Sequence, residues 1–299
     1  MARTVPRCEE ADIDMMFRWM LGLALLFAGS AALAGQGRLL ATGGVTEIEG
    51  QAGGGIVPWA VIAGYGTMDQ TGGTAFITNV GTGDYNLTAT GAAVGFNNRF
   101  EISVAEQHFN LGTLGTALGM PGRSLRQQIL GFKLRLFGNV VYTEAPQVSL
   151  GAQYKRNLDD DLLNAVGAKS NHGVDVYLSA TKLFIAGAFG RNVLVNVNLR
   201  ATKANQIGLL GFGSARSDSY ELQAEASVGL MLDAHTVIGI EYRQKPDNLA
   251  FAREDNWSDF FIAWFPSKSI ALTAAYADLG SVATLPNQQG FYLSVQATF

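Results

Sequence analysis

"SYELQAEASVGLML", residues 219–232, sorts its side chains by every second position. In an extended chain Tyr220, Leu222, Ala224, Ala226, Val228, Leu230 and Leu232 share one face, and Glu221, Gln223, Glu225 and Ser227 share the other. A helix would bring Glu221 and Glu225 together but scatter the apolar set around its circumference. The stretch therefore reads as a β-strand with one oily and one wet face.

The same alternation recurs on either side of it. Twelve segments carry it: 56–66, 85–95, 99–108, 127–139, 146–156, 173–184, 192–203, 219–232, 235–244, 256–265, 268–279 and 290–299. Each is long enough for a tilted strand to cross a bilayer, for which about 9–11 residues suffice. The connections run long, short, long, short. The long ones are 67–84, 109–126, 157–172, 204–218, 245–255 and 280–289, and turns such as "DA" (233–234) and "PS" (266–267) are minimal. A sandwich has no reason to keep that parity, whereas an outer-membrane barrel does. The chain is 48% apolar with a mean hydropathy of +0.14, yet no stretch after residue 34 approaches 18 consecutive apolar residues. The expected fold is all-β: a 12-stranded antiparallel up-and-down transmembrane β-barrel with short periplasmic turns and long extracellular loops.

Residues 19–34, "WMLGLALLFAGSAALA", follow Arg18 and close on Ala32-Leu33-Ala34, the pattern of a secretory signal cut after Ala34. Acidic residues before it (Glu9, Glu10, Asp12, Asp14) are foreign to a signal and suggest a true start at Met15 or Met16, with 1–14 a mis-assigned start. The chain thus divides into a signal peptide (1–34), a Gly-rich N-terminal segment (35–55) that is either a plug or a periplasmic lead, and the barrel (56–299). A net charge of −4 argues against nucleic acid as a partner. The single cysteine, Cys8, falls in the signal segment, which leaves the exported chain without disulfides or thiolate ligands. No cofactor or metal is expected.

The last strand, "FYLSVQATF" (291–299), places Phe299, Ala297, Val295, Leu293 and Phe291 on one face and ends on an aromatic ring. It resembles the C-terminal signature of outer-membrane proteins, which implies recognition by the barrel-assembly machinery. Other partners expected from the reading are outer-membrane lipid, lipopolysaccharide and small solutes. Near the other end, "ATGGVTEIEGQAGGGIVPWAVIAGYG" (41–66) resembles a proteobacterial family known as domain of unknown function 3034, with similarity over most of the exported chain. That family carries no accepted catalytic residues to transfer.

Function is then sought on the inward faces. The assigned registers turn Glu101, Lys133, Arg135, Gln153, Lys155, Asp175, Asn196, Asn198, Arg200, Glu221, Glu225, Glu241, Arg243 and Asp259 into the lumen. Lys133, Arg135, Lys155 and Arg200 would form a basic wall and Glu221, Glu225 and Glu241 an acidic one. The resulting transverse field would select small solutes in a narrow channel. A closed structural or surface-interaction barrel, its charges paired across the interior, is the alternative. Apolar outer loops, "GLLGFG" (208–213) and "LGTLGTALGMPG" (111–122), read as a greasy vestibule or as a lid. An outer-membrane lipid or ester hydrolase is the remaining class, because "SNHG" (170–173) weakly resembles the phospholipases of that membrane. The order of serine and histidine is reversed relative to theirs, so the expectation is no enzyme.

Overall fold

A computed structural model describes residues 37–299; the expected signal peptide lies outside the described residues. Twelve strands close into one antiparallel barrel. In chain order they are β1 (Thr71–Thr82), β2 (Asn86–Phe96), β3 (Phe100–Asn110), β4 (Ser124–Phe137), β5 (Gln147–Asn157) and β6 (His172–Ala188). They continue with β7 (Arg191–Thr202), β8 (Glu221–Met231), β9 (Thr236–Arg243), β10 (Trp257–Ser267), β11 (Ile270–Asp278) and β12 (Gln289–Thr298). Each strand pairs with its sequence neighbours, and β12 returns to β1, with Leu293 opposite Asn79 and Val295 opposite Ile77. Closure runs to the last residue, since Gly73 and Phe299 exchange two backbone hydrogen bonds of 2.8 and 3.0 Å. A closed sheet leaves no unpaired edge, which is what a hydrocarbon environment demands.

The pleat places the residues of 219–232 as their pattern requires. Leu222 and Val228 are exposed on the outside of β8, while Gln223, Glu225 and Ser227 are buried inside. Phe260, Ile262 and Trp264 on β10, Tyr276 on β11, and Phe291, Leu293 and Val295 on β12 continue the outward belt. An apolar surface of this extent on a monomer has lipid as its natural solvent.

One expected strand is not a strand. Residues 56–66 lie inside the barrel, and the first strand is instead 71–82. Pro58 is the physical reason: it cannot donate to a ladder and would break a strand paired on both sides. The barrel therefore begins at Thr71 rather than residue 56, and the inserted segment extends past 55 to about Gly66. The expected long loop 67–84 contains β1, so the connection from β1 to β2 is only residues 83–85, and the long-short parity fails at that one place. Elsewhere it holds. Tyr65 is buried at the short-turn end, where its hydroxyl accepts the Ala41 N–H at 3.2 Å.

Two short helices sit in the long loops, α1 (Gly112–Ala117) and α2 (Asp160–Ala165). In the acidic stretch "NLDDDLLN" (157–164) Asp159 is buried and its Oδ2 accepts the Arg126 N–H at 2.7 Å, while Asp160 and Asp161 stay exposed, with Arg123 bonding Asp161 at 2.9 and 3.0 Å.

Candidate functional site

The interior is occupied by the chain itself. Residues 41–65 are buried throughout, entering at the short-turn end and filling the lumen as a plug. Within it Val45–Thr46 pairs with Ala52–Gly53 in a two-residue antiparallel ladder, and the tip between them carries Glu47 and Glu49 into the barrel. Arg38 clasps both ends of the plug, donating to Thr42 O (2.7 Å), Ile62 O (3.0 Å) and Gly64 O (2.9 Å).

The wall meets the plug with charge where the plug offers backbone. Irregular backbone leaves N–H and C=O groups unpaired, and burying them without partners would cost a few kcal/mol each. Glu101 satisfies two N–H groups, Ala52 through Oε1 (3.2 Å) and Ala63 through Oε2 (2.8 Å). Glu241 Oε2 takes the N–H groups of Gly55 (2.6 Å) and Ile56 (2.9 Å), while Ser227 bonds Oε1. This close approach requires Gly54, where any Cβ would collide with the Glu241 carboxylate. Lys133 donates to the carbonyls of Ala52 (2.7 Å) and Val61 (3.1 Å), and Arg243 to Ile56 O (3.0 Å). Gln147 and Ser149 both reach Ala60 O at 2.6 Å.

At the centre the plug supplies the charge and the wall the counter-charges. Glu49 is bonded by Lys155, by Arg243 Nη2 at 2.9 Å, and has Arg200 Nη1 at 3.6 Å. Lys155 also pairs with Asp175 at 2.6 Å, and Arg200 Nε with Glu225 at 2.6 Å. Gln153 donates to Glu47 Oε1 (2.7 Å), and Tyr177 to Gln51 Oε1 (2.6 Å). The other side of the plug is apolar. Ile48, Ile56, Trp59 and Val61 join one buried cluster with Phe109, Leu183, Leu194 and Phe261. Burial of such side chains is worth roughly 1.5–3 kcal/mol each.

Of the residues expected in the lumen, Glu101, Lys133, Gln153, Lys155, Asp175, Asn196, Asn198, Arg200, Glu225, Glu241, Arg243 and Asp259 are buried inside the barrel. Two are not part of that cluster. Glu221 is exposed at the long-loop rim, where Gln223 bonds it at 3.1 Å. Arg135 caps the short-turn rim through the carbonyls of Gly138 (3.1 Å from Nε) and Asn98 (3.3 Å). The expected basic and acidic walls do not face each other across water. Arg200 and Glu225 are partners on adjacent strands, and the cations converge on Glu49. Among the described residues the interior holds small voids of about 30 Å³ each, one beside Trp59, Met231 and Phe261 and one beneath Gln206 and Trp257. That admits a few waters and no solute.

The long-loop end has its own closure. Residues 204–213 fold into the mouth, with Ile207, Leu209, Leu210 and Phe212 buried. Asn157 Nδ2 holds Leu209 O at 2.8 Å and Lys155 Nζ reaches Ile207 O at 3.3 Å, so Lys155 touches lid and plug at once. Gln206 ties three loops: its N–H donates to Glu254 Oε1 (2.5 Å), its Oε1 accepts from Lys245 Nζ (2.6 Å), and its Nε2 donates to Ser281 O (3.2 Å). Gln206 and Ile207 adopt left-handed φ of 43° and 60°, a conformation disfavoured for side chains with a Cβ. Burial pushes Lys245 down to about 7, opposed by the nearby Glu254 carboxylate, and pushes Glu254 up. In the 111–122 loop Leu118 stays exposed and Leu111 is buried.

"SNHG" does not assemble a relay. Ser170 Oγ (3.3 Å) and Asn171 Oδ1 (2.8 Å) both approach the same His172 nitrogen, Nδ1, so orienter and nucleophile compete for one position. His108 pairs with Glu106 at 2.6 Å and His235 Nδ1 lies 2.7 Å from Phe265 O.

Fold and interior together define a class: a closed twelve-stranded antiparallel barrel filled by its own N-terminal segment. The chain belongs to the family described as Protein of unknown function (DUF3034), whose model matches residues 42–296, plug and barrel alike. In structure it is similar to the KdgM porin (10% identity, TM-score 0.48, 76% of this chain and 99% of that one). It is also similar to the outer membrane protein Omp33 of Acinetobacter baumannii (11%, 0.44, 77% and 98%). A third is the COG4313 outer membrane channel of Pseudomonas putida F1 (13%, 0.40, 81% and 97%). No curated protein matches the sequence.

Proposed function

We propose that this protein is an outer-membrane channel whose resting state is shut by residues 41–66, and which passes small polar solutes when that segment is displaced. The short turns face the periplasm, where both ends of the barrel lie, and the long loops face outward. The observation that carries the reading is the character of the wall behind the plug. Lys133, Lys155, Arg200, Arg243, Glu101 and Glu241 are directed at plug atoms. A barrel filled once and for all gains more from apolar packing, because buried ion pairs seldom repay their desolvation. A wall that must also be stable against water keeps its charges.

A second reading, a permanently closed structural barrel, draws support from the apolar half of the plug, where Ile48, Trp59 and Val61 pack among Phe109, Leu183 and Phe261. Catalysis is not part of the proposal, since Ser170 and His172 lack the geometry for it. Planar-bilayer recording separates the two readings. Full-length protein is expected to be silent or to open rarely, and protein lacking residues 37–66 to give large, stable conductance steps. A folded deletion variant that never conducts would eliminate the channel.

A further inference from the structure

The latch on the lid contains a carboxylate site that the protein fills with its own side chain. Glu254, buried in the 244–256 loop, accepts three backbone N–H groups: Gln206 at Oε1 (2.5 Å), Asn248 at Oε2 (3.0 Å) and Leu249 at Oε2 (3.2 Å). Three convergent main-chain donors are a recognition site for an oxyanion. Beside them lies the buried Lys245 ammonium, 4.6 Å from the centre of the Trp257 ring and bonded to Gln206 rather than to Glu254. Among the described residues, two nearby side chains hold polar atoms with no hydrogen-bond partner. Both polar atoms of the Asn248 side chain, fully buried, are unbonded, and so is the Trp257 indole N–H. Buried polar groups left in this way are uncommon and call for an explanation. Gln206 and Trp257 also line a void of about 30 Å³ whose other walls are mostly apolar: Ile48 and Ile56 from the plug, Val80, Leu87 and Phe109 from the strand side, and Leu209 from the lid.

We propose that this is the outer binding site for small carboxylates with a short apolar tail, and that Glu254 occupies it as a tethered stand-in until such a solute competes. The incoming carboxylate takes the N–H groups of Asn248 and Leu249 and draws on Lys245, Asn248 and Trp257, while its tail enters the space between lid and plug. Glu254 then no longer ties residue 206 to the 244–256 loop. Gln206 is released from one of its three ties, and the void the lid roofs opens toward the plug. This deepens the gated-channel reading by naming the class of solute, and it rests on that reading for its consequence; the binding site itself does not require conduction.

The test is a binding measurement on refolded full-length protein. Butyrate is titrated by calorimetry into wild type, Glu254→Ala and Glu254→Ala/Lys245→Gln, with butanamide and butylammonium as isosteric controls. Removing the tethered competitor is expected to tighten butyrate binding by about tenfold or more, the worth of one charge-assisted hydrogen bond. The double variant is expected to lose that gain, and neither control ligand should bind. A merely structural role for Glu254 predicts no gain of affinity. Should Glu254→Ala fail to fold, Glu254→Gln replaces it, with a smaller gain because the amide is a weaker acceptor. Equal butyrate affinity with and without the Glu254 carboxylate, or equal binding of butanamide, would overturn the proposal. Either result leaves the conductance test of the plug deletion intact.

Discussion

The barrel is shut twice, by plug and by lid, and the two closures are built differently. The plug is held by charged side chains from around the wall. Three cations address one carboxylate, Glu49, and two wall carboxylates each hold a pair of plug N–H groups. The lid is held by fewer contacts, one to the Glu254 carboxylate, one each from Lys245 and Lys155, and neutral ones with Asn157 and Ser281, and it carries two strained residues, Gln206 and Ile207. Charge-assisted bonds are about twice as strong as neutral ones and leave costly orphans when broken. On the proposed reading the lid, with fewer charged contacts and strained backbone, is the closure a solute opens, and the plug the one that sets whether a path exists. Lys155, bonded to Glu49 and to Ile207 O, joins them.

The largest effect that tests this contrast is conductance on removing residues 37–66. Next is Glu49→Ala, which leaves Lys155, Arg200 and Arg243 with an uncompensated excess of buried charge. A loss of about 3–5 kcal/mol is expected, read as an earlier urea midpoint for the folded, heat-modifiable form. No change in midpoint would mean that Glu49 does not anchor the plug. Gln206→Ala should cost about 1–3 kcal/mol for its two lost side-chain hydrogen bonds. Its amide exchange should rise in 204–213 and not in 41–66, whereas Lys155→Met should raise both. Exchange confined to one region in Lys155→Met would separate the closures. The smallest effect is Tyr65→Phe, which removes one hydrogen bond at the plug entrance and should cost about 0.5–1.5 kcal/mol.

Much of the barrel was legible because membrane strands must alternate. From β2 to β12 the apolar and polar faces can be counted in the sequence, and the inward charges of β3 to β10 fall out of that count. What misled was the first strand. "GIVPWAVIAGYG" is apolar enough to pass for a strand, whereas the true one, "TGGTAFITNVGT", offers only Ile77 as a large residue on its lipid face. Pro58 was the usable signal against the former. The partnership of wall and plug was hidden for a different reason. Alternation says that Arg243 points inward but not whether water, Glu241 or the distant Glu49 receives it. Glu221 and Arg135 share the inward parity yet lie at the rims, since parity carries no depth. The lid depends on left-handed backbone at Gln206 and Ile207, which neither residue type advertises.

Everything rests on residues 41–66 lying inside the closed barrel, and a cross-link tests that most directly. Thr46 of the plug and Thr74 of β1 place their hydroxyl oxygens 3.1 Å apart, close enough for cysteines there to bridge. With Cys8 replaced by serine, Thr46→Cys/Thr74→Cys protein in outer membranes is predicted to form that disulfide under mild oxidation. Neither thiol should react beforehand with a bulky water-soluble maleimide. Two thiols that label freely and fail to join would contradict the plugged barrel.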